Sequence, residues 1–320
     1  HLFKRRCIIL TQELYADPLA TKVAWYYYKE NLTQTEIAEI MGLNRIKIVR
    51  LLEKARMDNI VQFHIKGIEV NCLEYKKALI EQYQLDDAII VPTPKNRKEI
   101  RFTLAKAAAQ MLQDVIMDNE LIAVGWGVAV SYTLKNLNVE SSRNISVVTL
   151  TGGVNNYILK HSSGINQGFN GPIYAIPSPF ITSTEEIAEQ FLTEPSVKEI
   201  LELALLSKYT IVGIGGLSQE ATIFQENKLT LNEITNITNL NGVGDILGQF
   251  YDINGKILDI PLHKRLIGTH LSKLKEMNVI AVAGGQEKVR AIYGALKGGY
   301  ISTLITDEET AEQLITFKGE

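Results

Sequence analysis

Two sets of residues in this 320-residue chain have the types and spacing for chemistry. The first lies in LTQTEIAEIMGLNRIKIVRLLEKA (residues 32–55), which places Arg45, Lys47, Arg50 and Lys54 within ten positions. On a helix, cations so spaced donate to phosphates and to base edges in a major groove. The second set is four apolar runs that end in glycine: AVGWG (123–127), VTLTGG (148–153), VGIGG (212–216) and AVAGG (281–285). Glycine at the carboxyl end of a strand lets backbone N–H groups turn toward a ligand, often with a helix N-terminus behind them. Several such loops converging point to an anion, most simply the phosphate of a small molecule.

The elements that position the first set read as three helices. Leu19, Val23, Tyr26 and Tyr27 share one face of a helix over Pro18–Tyr28, with Asp17 as its cap and Pro18 in its first turn. Thr33 with Glu36 forms a capping box for a second helix carrying Ile37, Ala38 and Ile40, which stops at Gly42. Asn44 caps a third, with Ile46, Ile48, Val49, Leu51 and Leu52 as its apolar residues. Two helices joined by so short a turn must cross closely, which needs a small residue at the contact and a turn residue tolerant of positive φ. Ala38 and Gly42 supply them, as in a helix-turn-helix. Thr33, Gln34 and Asn44 join the four cations as DNA-facing positions. A short strand over Ile60–Ile65 would serve as a wing, with His64 on its surface. Residues 69–84 then carry a helical period, either as a linking and dimerising helix or as the first helix of the next domain.

From residue 86 onward, short apolar runs alternate with helical patterns, the mark of βαβ units and a parallel sheet. Strands are expected over Ala88–Val91, Leu121–Val124, Ile145–Leu150, Thr210–Val212, Val279–Val282 and Ile301–Ile305. Intervening helices fall over Arg101–Val115, Ala129–Leu137, Thr184–Leu192, Val197–Leu206 and Lys288–Leu296. Asn254-Gly255 between apolar segments signals a hairpin. The division is thus a helix-turn-helix module over 1–66, a linking or dimerising segment over 67–85 and an α/β domain over 86–320.

Charge divides at the same place. Residues 1–66 hold 11 Lys or Arg against 7 Asp or Glu, a balance of +4, and the remainder holds 22 against 29, or −7. A small basic module on a larger acidic body fits a nucleic-acid binder with a second function. The 46% hydrophobic and 22% charged composition excludes a disordered or collagen-like chain. Two cysteines, Cys7 and Cys72, fit a reducing compartment, and no apolar run approaches a membrane span, so a cytoplasmic protein is expected. The stretch Cys7–Leu10 is too short for a signal-peptide core. A chain that starts at His1 rather than Met is expected to lack its extreme N-terminus.

Nucleotide sites are disfavoured. Gly125-Trp126-Gly127 and Gly213-Ile214-Gly215-Gly216 both lack the third glycine of a dinucleotide fingerprint, and no Walker A lysine pattern occurs.

The helix-turn-helix stretch, together with TLTGGV, IVGIGG, GVGDILGQFYDINGK, AVAGGQEKVRAIYGALKGGYI and LITDEETA in this order, resembles the SorC/DeoR-type family of bacterial sugar-sensing transcriptional regulators. The resemblance runs from about Asp17 to Thr316. It implies a Rossmann-like effector domain related to sugar-phosphate isomerases and glucosamine-phosphate deaminases. It also implies a tetrameric repressor, or in some members an activator, whose operator binding responds to a phosphorylated sugar or polyol. Carried onto this chain, it puts the phosphate near Thr151, Gly152 and Gly153 with Lys288 as its cation, and sugar hydroxyls on Asp245. Gly125, Trp126 and Gly127 with Gly215 and Gly216 then shape the pocket, Trp126 either stacking on the effector or filling a core gap. A lysine such as Lys288 at the start of a helix opposes the helix dipole unless an anion is present. Residues 157–181 would line the pocket and include His161. No cofactor or metal is expected.

The alternative is a sugar-phosphate isomerase- or deaminase-like enzyme. The deaminase loop needs an Asp and a His after a strand-terminal glycine. GIGGLSQEATIF offers Ser218, Gln219 and Glu220 with no histidine, and His263 and His270 lack metal-ligand spacing.

Overall fold

A computed structural model describes residues 17–57, 60–61, 70–138, 144–153, 171–218, 222–225 and 229–319. The chain divides into two compact units, His1–Gly67 and Ile68–Glu320.

The first unit holds α1 (Pro18–Tyr28), α2 (Gln34–Met41) and α3 (Arg45–Met57). Its caps are those the residues dictate. The Asp17 carboxylate accepts from the Leu19 and Ala20 N–H groups, and Thr33 and Glu36 close a reciprocal capping box. Gly42 ends α2 at φ +63°, a left-handed conformation that glycine adopts without a Cβ penalty. Val23, Ala24, Ile37, Ala38, Ile48, Leu51, Leu52 and Ala55 form the core between the helices. Three positions expected on apolar faces point outward instead: Leu19 is 37%, Ile40 57% and Ile46 68% exposed. The strand expected over Ile60–Ile65 lies almost wholly outside the described residues. Ile60 and Val61 form a bend against the helical core, with the Val61 N–H donating to the Ala55 carbonyl.

The second unit is built on seven parallel strands in the order β1-β10-β9-β5-β2-β3-β4. These are β1 (Asp87–Val91), β2 (Leu121–Val124), β3 (Ser146–Thr149), β4 (Ile173–Tyr174), β5 (Tyr209–Gly213), β9 (Val279–Val282) and β10 (Thr303–Asp307). Alternate residues face opposite layers, as a strand's period of two requires. Ile122, Val124, Val147, Ile211, Ile280, Val282 and Ile305 pack under α5 (Ile100–Val115) and α6 (Val128–Asn136). Ala123, Val148, Val212, Ala281 and Leu304 face the other layer. That layer contains α4 (Val70–Tyr83), α8 (Pro195–Leu205), α11 (Val289–Lys297) and α12 (Glu308–Thr316). The remaining helices are α7 (Glu185–Thr193), the single turn α9 (Thr222–Gln225) and α10 (Leu231–Asn239).

The linking helix is α4, and it packs as the first helix of this unit. Leu79 is buried, the Tyr83 hydroxyl donates to the Leu314 carbonyl of α12, and Lys76 pairs with Asp87. A second sheet, not anticipated from the sequence, is antiparallel: β6 (Gly215–Gly216), β7 (Gly242–Ile246) and β8 (Gln249–Asp252). Its hairpin turns at Leu247 and Gly248, both at positive φ. The expected Asn254-Gly255 turn also forms, with Gly255 at φ +77° and a bridge from Tyr251 to Ile257. No helix among the described residues is long and apolar enough to cross a membrane.

Candidate functional site

In the first unit, Asn44 caps α3 by accepting from the Lys47 N–H at 2.8 Å. This leaves Arg45, Lys47 and Arg50 exposed along that helix. The Arg45 guanidinium reaches the Gln34 side chain at 3.3 Å, so the start of α2 and the start of α3 meet on one surface. Ile46 lies exposed between Arg45 and Lys47. Thr33 is engaged in its capping box, and Lys54 pairs with Asp17 at 2.6 Å. Lys54 therefore ties α3 to the cap of α1, whereas the other three cations form no ion pair among the described residues.

In the second unit, a cavity of about 300 Å³ opens outside the carboxyl ends of β2, β5, β9 and β10. The sheet runs from β2 to β3 on one side and to β5 and β9 on the other, and the crevice outside such strand ends is where open α/β sheets bind ligands. Trp126, Gly127, Gly215, Asp245 and Lys288 all line it. Gly127, at φ +128°, starts α6 with no capping side chain, and the 3-10 turn Gln286–Lys288 ahead of α11 has none, whereas Asn96 caps the 3-10 turn Arg97–Glu99 that leads into α5. By contrast α1, α2, α7, α10 and α12 are all capped by Asp or Thr. The start of α6 and the turn ahead of α11 thus keep donor N–H groups for an anion, whereas Asp307, which also lines the cavity, caps α12.

Asp245 and Lys288 give the cavity its polarity. Asp245 on β7 is 4% exposed; one carboxylate oxygen accepts from the Gly248 N–H at 3.0 Å. Burial pushes its carboxyl up to about 6, against the opposing pull of that N–H and of Lys288. Its other oxygen lies where a Cβ on Gly215 would come within 2.0 Å, so only glycine at 215 leaves room for the carboxylate. Lys288 is partly buried, and its Nζ donates to the Ile214 carbonyl at 3.0 Å. Burial lowers its ammonium below the ordinary lysine value; Glu287 and Asp245 oppose this and Arg101 adds to it.

The remaining glycine positions are near but not in the lining. Gly125 leaves space for Leu247, and Gly216 backs onto the Glu287 carbonyl and the Lys288 side chain. Thr151, Gly152 and Gly153 are not brought to the cavity. Thr151 bridges to Gly268, the Gly152 N–H donates to Ile267 and the Gly153 N–H to Ser178. These amides serve the packing of the segment around Phe180, whose ring lies 4.6 Å from that of Trp126. Residues 154–170, including His161, lie outside the described residues, as do Gln219 and Glu220.

The cavity also takes residues that sequence reasoning missed: Arg97, Lys98 and Arg101, with Asp307 and Glu309. The run PKNRKEIR (94–101) in front of a helix was the available signal, because cations there oppose the helix dipole. Asp307 is a scaffold; it accepts from the Gly285 N–H, Thr93 and Thr310. The candidate histidines are structural. His263 accepts the Phe250 N–H at 2.8 Å, burial holding it near 4, and His270 caps a 3-10 turn.

Residues 69–316 match the family described as "Putative sugar-binding domain". Transcriptional regulator LsrR of Escherichia coli (strain SMS-3-5 / SECEC) is 37% identical over 315 residues, covering 96% of this chain and 98% of that protein. Its counterpart from Enterobacter sp. (strain 638) is 34% identical over 309 residues, covering 95% and 94%. Among solved structures, the full-length sorbitol operon regulator SorC of Klebsiella pneumoniae is similar with a TM-score of 0.72 and 26% identity, covering 94% of this chain and all of that one. A DeoR family regulator from Listeria monocytogenes shares the fold of the larger part, with a TM-score of 0.69 at 21% identity over 76% of this chain.

Proposed function

The chain belongs to the SorC/DeoR family of sugar-binding transcriptional regulators, and from that membership we propose how it works. It is a DNA-binding regulator of sugar-metabolism genes, and its relatives are regulators rather than enzymes. Its effector is a phosphorylated sugar or polyol held in the cavity of the second unit, and the regulation is repression. The observation that carries this reading is the pairing, inside one cavity of about 300 Å³, of the buried acceptor Asp245 with the cation Lys288. A carboxylate accepts from vicinal hydroxyls, and an ammonium beside uncapped helix starts suits a phosphate. The volume is at the small end of ligand sites and fits a sugar phosphate.

The operator is read by Arg45, Lys47 and Arg50 of α3, with Gln34 and Asn44 beside them. The effector alters operator affinity only by binding the DNA-competent and incompetent states unequally. We place the protein in the cytoplasm as a homotetramer, and its second unit among Rossmann-like relatives of sugar-phosphate isomerases and deaminases.

A thermal-shift screen of sugars and polyols in matched phosphorylated and free forms tests the reading. Ligand at a hundredfold over Kd stabilises a native state by about 2.7 kcal/mol. The expected result is a rise in Tm with a phosphorylated compound that is absent with its free form and absent in Lys288→Ala. A full response in Lys288→Ala would remove that residue from the site. No response to any phosphorylated compound would refute the effector reading.

A further inference from the structure

Resting on that reading, we infer that the effector's phosphate sits between Lys288 and a second cationic wall, Arg101 and Lys98 at the start of α5, while its hydroxylated end lies on Asp245. Nothing in the glycine loops led to these two residues; the cavity brings them in.

Four observations converge. Three cations, Arg97, Lys98 and Arg101, crowd the start of α5, where the helix dipole and their mutual repulsion both disfavour positive charge. Arg97 is neutralised by an ion pair with Glu309. Lys98 and Arg101, both exposed to the cavity, have no ion-pair partner among the described residues, and Glu99 between them is turned onto the Asn96 side chain. Of the acids on the other walls, Asp307 is engaged by Gly285, Thr93 and Thr310 and Glu309 by Arg97 and Gln286, which leaves Glu287 beside Lys288.

Lys288 is flanked by the acids Glu287 and Asp245 and feels Arg101 across the cavity as a repulsive charge. A dianionic phosphate ester between Lys288 and Arg101 relieves the repulsion of the two cations and meets a planar guanidinium fork shaped for its oxygens. The Gly152 and Gly153 amides are engaged by the Ile267 and Ser178 carbonyls.

The test titrates the full chain with inorganic phosphate against chloride at constant ionic strength, reading Tm. The variants are Arg101→Ala, Arg101→Lys, Lys98→Ala and Lys288→Ala, with Lys106→Ala as a control for general removal of charge on α5. We expect Arg101→Ala to need about ten-fold more phosphate for the same shift, the effect of removing one charge-assisted hydrogen bond. Lys98→Ala loses less, Arg101→Lys keeps part, and Lys106→Ala behaves as the parent. Arg101 is exposed, so these variants fold, and an unchanged circular dichroism spectrum checks it. If Arg101→Ala and Lys98→Ala titrate as the parent while Lys288→Ala does not, the second wall is wrong and the effector reading stands. If the parent itself shows no phosphate-specific shift, the two-sided phosphate seat is wrong, and the effector reading stands or falls by the screen of phosphorylated compounds.

Discussion

Asp245 shows how one buried carboxylate ties stability to ligand binding. Its carboxyl is held up to about 6 by burial, so between the ordinary aspartate value and about 6 the folded chain keeps a proton that the unfolded chain has released. Stability from this group therefore falls as pH rises through that window, by on the order of 3 kcal/mol, and is constant above it. Asp245→Asn should raise Tm at neutral pH and flatten the fall across the window in scanning calorimetry. The same variant should weaken effector binding, because an amide accepts less strongly than a carboxylate. The parent's affinity should gain relative to the variant's as pH rises through about 6. A variant with unchanged Tm at neutral pH would show that the carboxyl is not desolvated as the packing requires.

At the scale of elements, the β7–β8 hairpin decides where Asp245 points. Its two-residue turn, Leu247-Gly248, is left-handed at both positions, φ +56° and +77°, the geometry that matches strand twist. Only glycine enters that region freely, and the leucine is held there because its side chain is buried against Gly125. A Cβ at 248 would also meet the Phe180 ring at 2.6 Å, whereas at Gly42, with similar φ, nothing lies within 4 Å. Gly42→Ala should therefore cost about 1–2 kcal/mol, the backbone penalty alone. Gly248→Ala should cost more and also disturb the Trp126–Phe180 contact behind the cavity. Urea denaturation of both variants checks the order; equal costs would mean that Phe180 yields freely.

Across the whole molecule, the two units have separate cores and opposite charge. The first unit's apolar residues cluster among α1, α2 and α3, and the sheet's two faces are covered by the second unit's own helices. Binding functions divided in this way are separable by mutation. Arg45→Ala or Lys47→Ala should weaken operator binding and lower its salt slope by about 1 for each phosphate left without its cation, with effector binding unchanged. Lys288→Ala should do the reverse. Fluorescence anisotropy on operator DNA and calorimetric titration of the effector measure the two sides. Impaired effector binding in the Arg45 variant would contradict the division.

Local chemistry was legible from the residues alone. Capping at Asp17, Thr33 and Asn44, the Gly42 turn and six strands of the parallel sheet follow from neighbours within a few residues, because helix ends and strand periods are set by short-range contacts. The family could be read for the same reason, from short motifs kept in order. The hairpin at Leu247-Gly248 escaped because its first turn residue is an apolar side chain held at positive φ by distant packing, not by its own preference. The packing partner of α4 was not legible in the sequence: Tyr83 reaches α12, more than two hundred residues away. Strand order decided which glycine loops share a cavity. It joined the ends of β2, β5, β9 and β10 with the cations ahead of α5, and left the Thr151 loop to pack behind Trp126. Sequence spacing encodes what a residue does to its neighbours; only the closed sheet determines which ends meet.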